Sequence, residues 1–127
     1  MVNLRILIVE DDPRFRKALR VFLDHQPGWQ VVGEGTNGRE GIDEAERLKP
    51  DLTIMDLNMP ELGGLEATRE IRRVLPDSAI LVLTEHNSVR LICEALEAGA
   101  HGYLPKSEVG QLVSAVRKAV AREQGAD

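Results

Sequence analysis

Short aliphatic runs alternate along this chain with stretches of helical spacing, and this alternation limits the folds that the chain can adopt. Runs that are nearly all aliphatic are typical of strands that other elements cover on both faces. Aromatic residues make up only 3% of the chain, so the core must be aliphatic. We predict strands at Leu4–Val9, Trp29–Val32, Leu52–Met55, Ala79–Leu83 and Gly102–Leu104.

The stretches between these runs are predicted to be helices, because their apolar residues recur at intervals of three and four. The predicted helices begin at Pro13, cover Asn37–Lys49, run from Leu65 to Leu75, cover Ser88–Ala98 and run from Val109 to Val120. Asp12 is expected to cap the first helix. The fourth helix is expected to bury Val89, Cys93 and Leu96. It should stop at Gly99.

A strand followed by a helix, repeated five times, predicts an α/β fold. Right-handed crossovers then place the strands in one parallel sheet with helices on both faces. The 127 residues correspond to one domain. We expect the domain to span residues 1–122, with a linker start or a frayed end at 123–127. Ligands of such folds bind beyond the carboxyl ends of the strands.

Charge and composition exclude several classes of protein. A net charge of −5 argues against general nucleic-acid binding, which needs a basic face. No apolar run approaches the roughly 20 residues that span a membrane, and MVNLRILIV lacks the cleavage region of a signal peptide. The single cysteine excludes a cysteine-rich zinc site. A soluble cytoplasmic protein without a membrane partner is expected.

The segment GEGTNG, residues 33–38, matches the glycine pattern of dinucleotide-binding folds. Asp56 follows at about the spacing of the acid that binds a ribose in those folds. A dinucleotide-binding enzyme is therefore a second hypothesis. It requires the pattern to follow the first strand of a nucleotide-binding half, but a strand already precedes it here. We therefore predict that GEGTNG is the turn from the second strand into the second helix.

Polar residues follow the predicted strands at the edge where ligands are expected. Glu10 and Asp11 follow the first strand, and Asp56 follows the third. Thr84 and Lys106 follow the fourth and the fifth. Clustered carboxylates repel one another unless a cation or a proton relieves them, and Mg²⁺ prefers oxygen ligands. A hydroxyl and an ammonium beside them can neutralise phosphoryl oxygens, so the arrangement predicts Mg²⁺-dependent phosphorylation of an aspartate.

The sequence resembles the receiver domain of bacterial two-component response regulators over nearly the whole chain, from about Leu4 to Val120. The segments that carry the resemblance are ILIVEDDP, DLTIMDLNMPELGGLEATREIR, ILVLTEH and EAGAHGYLPKS. NMPELGGLEATREIR and EALEAGAHGYL look most like the subfamily with a C-terminal helix-turn-helix of the LuxR type. The resemblance implies a flavodoxin-like, three-layer α/β/α fold with strand order 2-1-3-4-5.

The resemblance also implies roles for individual acids. Asp56 would be the phosphoacceptor. Asp11 and Asp56 would bind Mg²⁺ together with the backbone carbonyl of Asn58, and Glu10 would act through a metal-bound water. The phosphoryl donor would be a phosphohistidine of a sensor kinase, so the protein would be a phosphoacceptor in a phosphorelay rather than an enzyme.

A switch is implied by the same resemblance. Lys106 would pair with Asp56 at rest and with the phosphoryl group afterwards. Thr84 would be the switch hydroxyl and Tyr103 the aromatic that moves with it, although Tyr103 as an ordinary strand residue stays open. The output face, and a homodimer, would involve the fourth helix, fifth strand and fifth helix. DNA would be bound only through an output domain outside this chain. The alternatives are a stand-alone regulator that acts through protein contacts and a binding module with a decayed site.

Some residues depart from the family pattern. Glu85 follows Thr84 where a small or uncharged residue is usual, and we hypothesise that its carboxylate slows phosphorylation. Pro105 precedes Lys106, whereas in the family a proline commonly follows the lysine through a cis peptide. A cis bond before Ser107 would cost about 2.5–4 kcal/mol.

Three further residues have open interpretations. His86 would either border the phosphorylation site or be an ordinary surface residue. Leu91 and Ile92 exceed what the predicted inner stripe of the fourth helix needs. They would either form an exposed partner patch with Tyr103 or be surface scatter.

Overall fold

The computed structural model describes residues 3–59, 63–85 and 88–125. The strands are β1 (Leu4–Val9), β2 (Trp29–Gly35), β3 (Leu52–Asp56), β4 (Ala79–Thr84) and β5 (Gly102–Pro105). The helices are α1 (Pro13–Asp24), α2 (Gly38–Leu48), α3 (Gly64–Val74), α4 (Val89–Glu97) and α5 (Leu112–Glu123). A 3₁₀ segment, Lys106–Gln111, connects β5 to α5.

All strand pairs are parallel, and the order across the sheet is β2-β1-β3-β4-β5, which confirms the predicted fold. Side chains alternate between the two faces along each strand. Ile6 and Ile8 therefore belong to the core cluster that includes α1 and α5 residues. Leu7 and Val9 belong to the cluster that includes α2 and α3 residues. The sheet is thus the middle of three layers.

The GEGTNG segment differs from the prediction. β2 continues through Gly35, so its first glycines lie in an edge strand rather than in a turn. A β carbon at Gly35 would lie 3.0 Å from the backbone nitrogen of Gly41, so the glycine permits close packing of strand and helix. Asn37 caps α2, because its side chain accepts from the Glu40 N–H at 2.9 Å. The segment has a packing role at this edge.

The predicted orientation of α4 was wrong. Val89 and Leu96 are exposed to 76% and 45%, and Cys93 is also exposed. The buried residue of the helix is Ala95, and Leu91 and Ile92 are half-buried. The small Ala95 side chain faces the interior of the domain. The predicted inner stripe of Val89, Cys93 and Leu96 lies on the outer side of the helix.

The start of the last helix also differs from the prediction. Val109 lies in the 3₁₀ segment and is partly exposed, and α5 begins at Leu112. The segment is kinked at Glu108, where φ is −112° and ψ is 27°. The bond between Lys106 and Ser107 is trans. No helix in the described part of the chain has both the length and the apolar composition to cross a bilayer.

Candidate functional site

Three carboxylates meet at the carboxyl edge of the sheet. Glu10 and Asp11 follow β1, and Asp56 is the last residue of the adjacent strand β3. One carboxylate oxygen from each lies within 4.8 Å of the others. Glu10 and Asp56 are each only 1% exposed, whereas Asp11 is more accessible. The parallel topology thus brings together acids that are far apart in sequence.

The Asp56 side chain is held by the turn that follows β3. The backbone N–H of Asn58 donates to Asp56 Oδ1 at 3.0 Å. Asp56 Oδ2 is buried and has no hydrogen-bond partner among the described residues. Buried carboxylate oxygens are normally paired, so this oxygen is a position that a cation or another donor could occupy.

Lys106 brings a positive charge to the acids. Its Nζ lies 2.9 Å from Glu10 Oε1 and 3.4 Å from Asp56 Oδ1. Its third acidic neighbour is Glu85, whose Oε1 is 3.7 Å from Nζ. The ammonium also lies 4.9 Å from the centroid of the Phe15 ring, a cation–π distance. Lys106 is therefore nearer to Glu10 than to Asp56, the partner expected from the sequence.

Burial perturbs the ionisation of this cluster. It raises the pKa of Glu10 to about 7, although the Lys106 ammonium and the N–H of Asp12 act in the opposite direction. Burial likewise raises the pKa of Asp56 against the N–H of Asn58 and the charge of Lys106. Burial alone would lower the pKa of Lys106, but the two carboxylates outweigh it and raise that pKa. The Lys106 ammonium therefore offsets only part of the negative charge of the buried Glu10 and Asp56 carboxylates.

The Glu10 backbone is fixed on both sides. Its N–H donates to the carbonyl of Gly35 at 2.9 Å, and its carbonyl accepts from Arg16 Nη1 at 2.8 Å. Arg16 Nε also contacts Glu34 Oε1 at 2.8 Å. Neither Arg16 nor Phe15 is predicted as a site residue from the sequence, because nothing in a helical stripe indicates which side chains approach the strand ends.

The other predicted site residues lie around this cluster. Thr84 is buried at the end of β4, and Asn58 Oδ1 accepts from the backbone N–H of Glu85 at 3.0 Å. Tyr103 lies on β5 with 41% of its surface exposed. His86 lies outside the described residues. Glu85, which departs from the family pattern in sequence, contacts Lys106.

The donor set fits a hard divalent cation. Glu10, Asp11 and Asp56 offer only carboxylate oxygens, the ligands that Mg²⁺ prefers in proteins. Asp56 Oδ2, which has no hydrogen-bond partner among the described residues, belongs to a buried carboxylate whose negative charge such a cation would offset. The residues present are therefore compatible with a magnesium site.

The family model that describes the response regulator receiver domain matches residues 6–117. The chain belongs to the response regulator receiver family. LiaR, a transcriptional regulatory protein of Bacillus subtilis, is 39% identical over 117 residues, which are 91% of this chain and 56% of LiaR. The chemotaxis protein CheY of Thermotoga maritima is 36% identical over 90% of this chain and 95% of CheY. The chain thus spans little more than half of LiaR and nearly all of CheY.

This receiver domain is similar in structure to a solved regulator of the LuxR family. A two-component response regulator of the LuxR family from Aurantimonas has a TM-score of 0.89 and 36% identity. The match covers 94% of this chain and 86% of that one. This similarity confirms the predicted family and the predicted resemblance to its LuxR-type subfamily.

Proposed function

We propose that this receiver domain is a phosphorylation-dependent switch and that Asp56 is its phosphoacceptor. The observation that carries the proposal is the Asp56 carboxylate, which is buried at the end of β3. Its Oδ2 has no hydrogen-bond partner among the described residues, and its Oδ1 lies 3.4 Å from Lys106 Nζ. A phosphoryl acceptor needs one available oxygen and nearby positive charge. This carboxylate has both.

The proposed reaction transfers a phosphoryl group from a phosphohistidine of a sensor kinase. An Asp56 carboxylate oxygen attacks phosphorus, an O–P bond forms, the N–P bond breaks and the imidazole departs with the electron pair. Lys106 stabilises the negative charge of the transferred group. Asp56 and Thr84 are buried, whereas Asp11 is more accessible. The domain thus acts as an acceptor in signalling.

Mg²⁺ would be held by Asp11 and Asp56, with the Asn58 carbonyl as a third ligand and Glu10 acting through water. When bound, the ion supplies positive charge that offsets the acids and the incoming phosphoryl oxygens. The support for this assignment is the cluster of three carboxylates within 4.8 Å.

The output would follow from new partners at the phosphorylated site. Phosphorylation adds about −1.5 to −2 charges and three acceptor oxygens. Thr84 and Lys106 would bind those oxygens, and Tyr103 would move with Thr84 and change the α4–β5–α5 face. A homodimer through that face, and control of transcription through an output domain outside this chain, would be the consequence. Of the suggested partner patch, Leu91 and Ile92 are half-buried and Tyr103 is 41% exposed.

The proposal is tested by incubating the protein with acetyl phosphate and Mg²⁺ and measuring the added phosphoryl mass. Wild type should be labelled at one site, and the isosteric Asp56→Asn variant should not be labelled. Asp43→Asn, at an exposed position on α2, is the matched control and should behave as wild type. Unchanged labelling of Asp56→Asn would refute Asp56 as the acceptor, and labelling that persists in excess chelator would refute the metal assignment.

A further inference from the structure

Glu85 connects the end of β4 to the phosphorylation site through two contacts. Its backbone N–H donates to Asn58 Oδ1 at 3.0 Å. Its carboxylate Oε1 lies 3.7 Å from Lys106 Nζ. The first contact fixes the backbone of Glu85 beside Asn58, and the second places its carboxylate within ion-pair distance of the lysine.

Three carboxylates therefore surround a single ammonium. Glu10 and Asp56 are buried and cannot move away without disturbing the strand ends. The Glu85 side chain is 57% exposed, whereas that of Lys106 is 15% exposed. Glu85 is consequently the neighbour that water can stabilise after it leaves. It is the replaceable anion of the set.

A phosphoryl group at Asp56 would need the same ammonium. It brings more negative charge and more acceptor oxygens than a carboxylate. Lys106 has three donors, and Glu10 already lies 2.9 Å away. A dianion close to both Lys106 and Glu85 is attracted by the first and repelled by the second.

We propose that Glu85 is an internal competitor that occupies Lys106 in the resting state and must withdraw when a phosphoryl group arrives. The inference rests on the proposed function of Asp56 and assigns a regulatory residue to that site. Glu85 thereby weakens binding of tetrahedral phosphoryl-like anions and sets a higher threshold for activation. Glu85 acts through Lys106 and is a specificity-determining residue rather than a catalytic one.

The test is the affinity of the protein for beryllofluoride with Mg²⁺, measured by NMR titration of wild type, Glu85→Gln and Glu97→Gln. Glu85→Gln keeps the shape of the side chain and removes its charge. Glu97→Gln removes the same charge from an exposed position at the end of α4. We expect Glu85→Gln to bind about three- to tenfold more tightly than wild type, because a partly exposed charge is screened. We expect Glu97→Gln to match wild type.

Salt provides a second readout. The advantage of Glu85→Gln should shrink as ionic strength rises to about 0.5 M, where the Debye length is only a few ångströms. Equal affinities of wild type and Glu85→Gln would overturn the inference. An equal gain in Glu97→Gln would overturn it too, since net charge alone would then explain the effect. Absence of binding to wild type would instead overturn the proposed function, and the inference with it.

Discussion

Gly64→Ala should damage this protein although Gly64 contributes no side chain to the site around Asp56. A β carbon at Gly64 would lie 2.3 Å from the carbonyl oxygen of Asp56 and 2.8 Å from the Cα of Leu57. Both are backbone atoms, so no side-chain rotation relieves the overlap. At the preceding Gly63 a β carbon would meet nothing within 4 Å among the described residues. The two neighbouring glycines therefore form a matched pair.

The cost follows from the size of the overlap. Ordinary contacts require separation of about 3.4 Å, so the backbone around Asp56 must move by about 1 Å. Overpacking of this kind costs about 1–3 kcal/mol, whereas replacing glycine by alanine in a helix gains at most about 1 kcal/mol. We expect Gly64→Ala to lose about 2 kcal/mol of unfolding free energy. A displacement of about 1 Å at a reacting group can also lower its rate about 100-fold.

Urea unfolding measured by the fluorescence of Trp29, the single tryptophan, gives the stability change. With a slope of about 1.5 kcal/mol/M, the Gly64→Ala midpoint should fall by about 1–1.5 M. Labelling by acetyl phosphate should fall at least tenfold. Gly63→Ala should remain within about 0.5 kcal/mol of wild type and keep its labelling rate. Equal midpoints for the two variants, or normal labelling of folded Gly64→Ala, would refute the packing argument.

Three further perturbations test other parts of the structure. Cys93 should react with a thiol reagent in the folded protein at nearly the rate of the unfolded chain, and strong protection would contradict its exposure on α4. Thr53→Val should raise the unfolding free energy by about 1 kcal/mol, because the Thr53 hydroxyl is buried without a partner among the described residues; a loss in urea melts would count against this. His101 Nδ1 accepts from the Ile80 N–H at 3.1 Å, and burial, aided by the charge of Arg72, lowers the pKa of the imidazole. The contribution of neutral His101 to the unfolding free energy is therefore full above about pH 6.5. It is lost as pH falls below that value towards the pKa of His101 in the folded protein. His101→Asn keeps an acceptor that does not titrate, so its urea midpoint should fall less than that of wild type between pH 7.5 and pH 5.5; equal falls would exclude this role.

Much of the fold could be predicted because its determinants are local. Aliphatic runs and helical spacing identify elements from neighbouring residues alone, and right-handed crossovers leave few ways to assemble them. The meeting of Glu10, Asp11 and Asp56 followed from the same rule, since parallel strands end at one edge. The prediction at α4 failed because two different stripes of that helix have helical spacing. Only the neighbouring elements determine which stripe is buried, and here they select Ala95.

The order of charges around Lys106 could not be predicted from spacing. It depends on side-chain reach across the ends of separate elements: Glu10 is nearer than Asp56, Glu85 completes the set, and the Phe15 ring lies beside the ammonium. The sequence by itself determined which chemical groups stand at the strand ends, because the strand pattern is local and its topology is constrained. The tertiary structure decided which of those groups touch, since distances of a few ångströms arise from the packing of the whole domain.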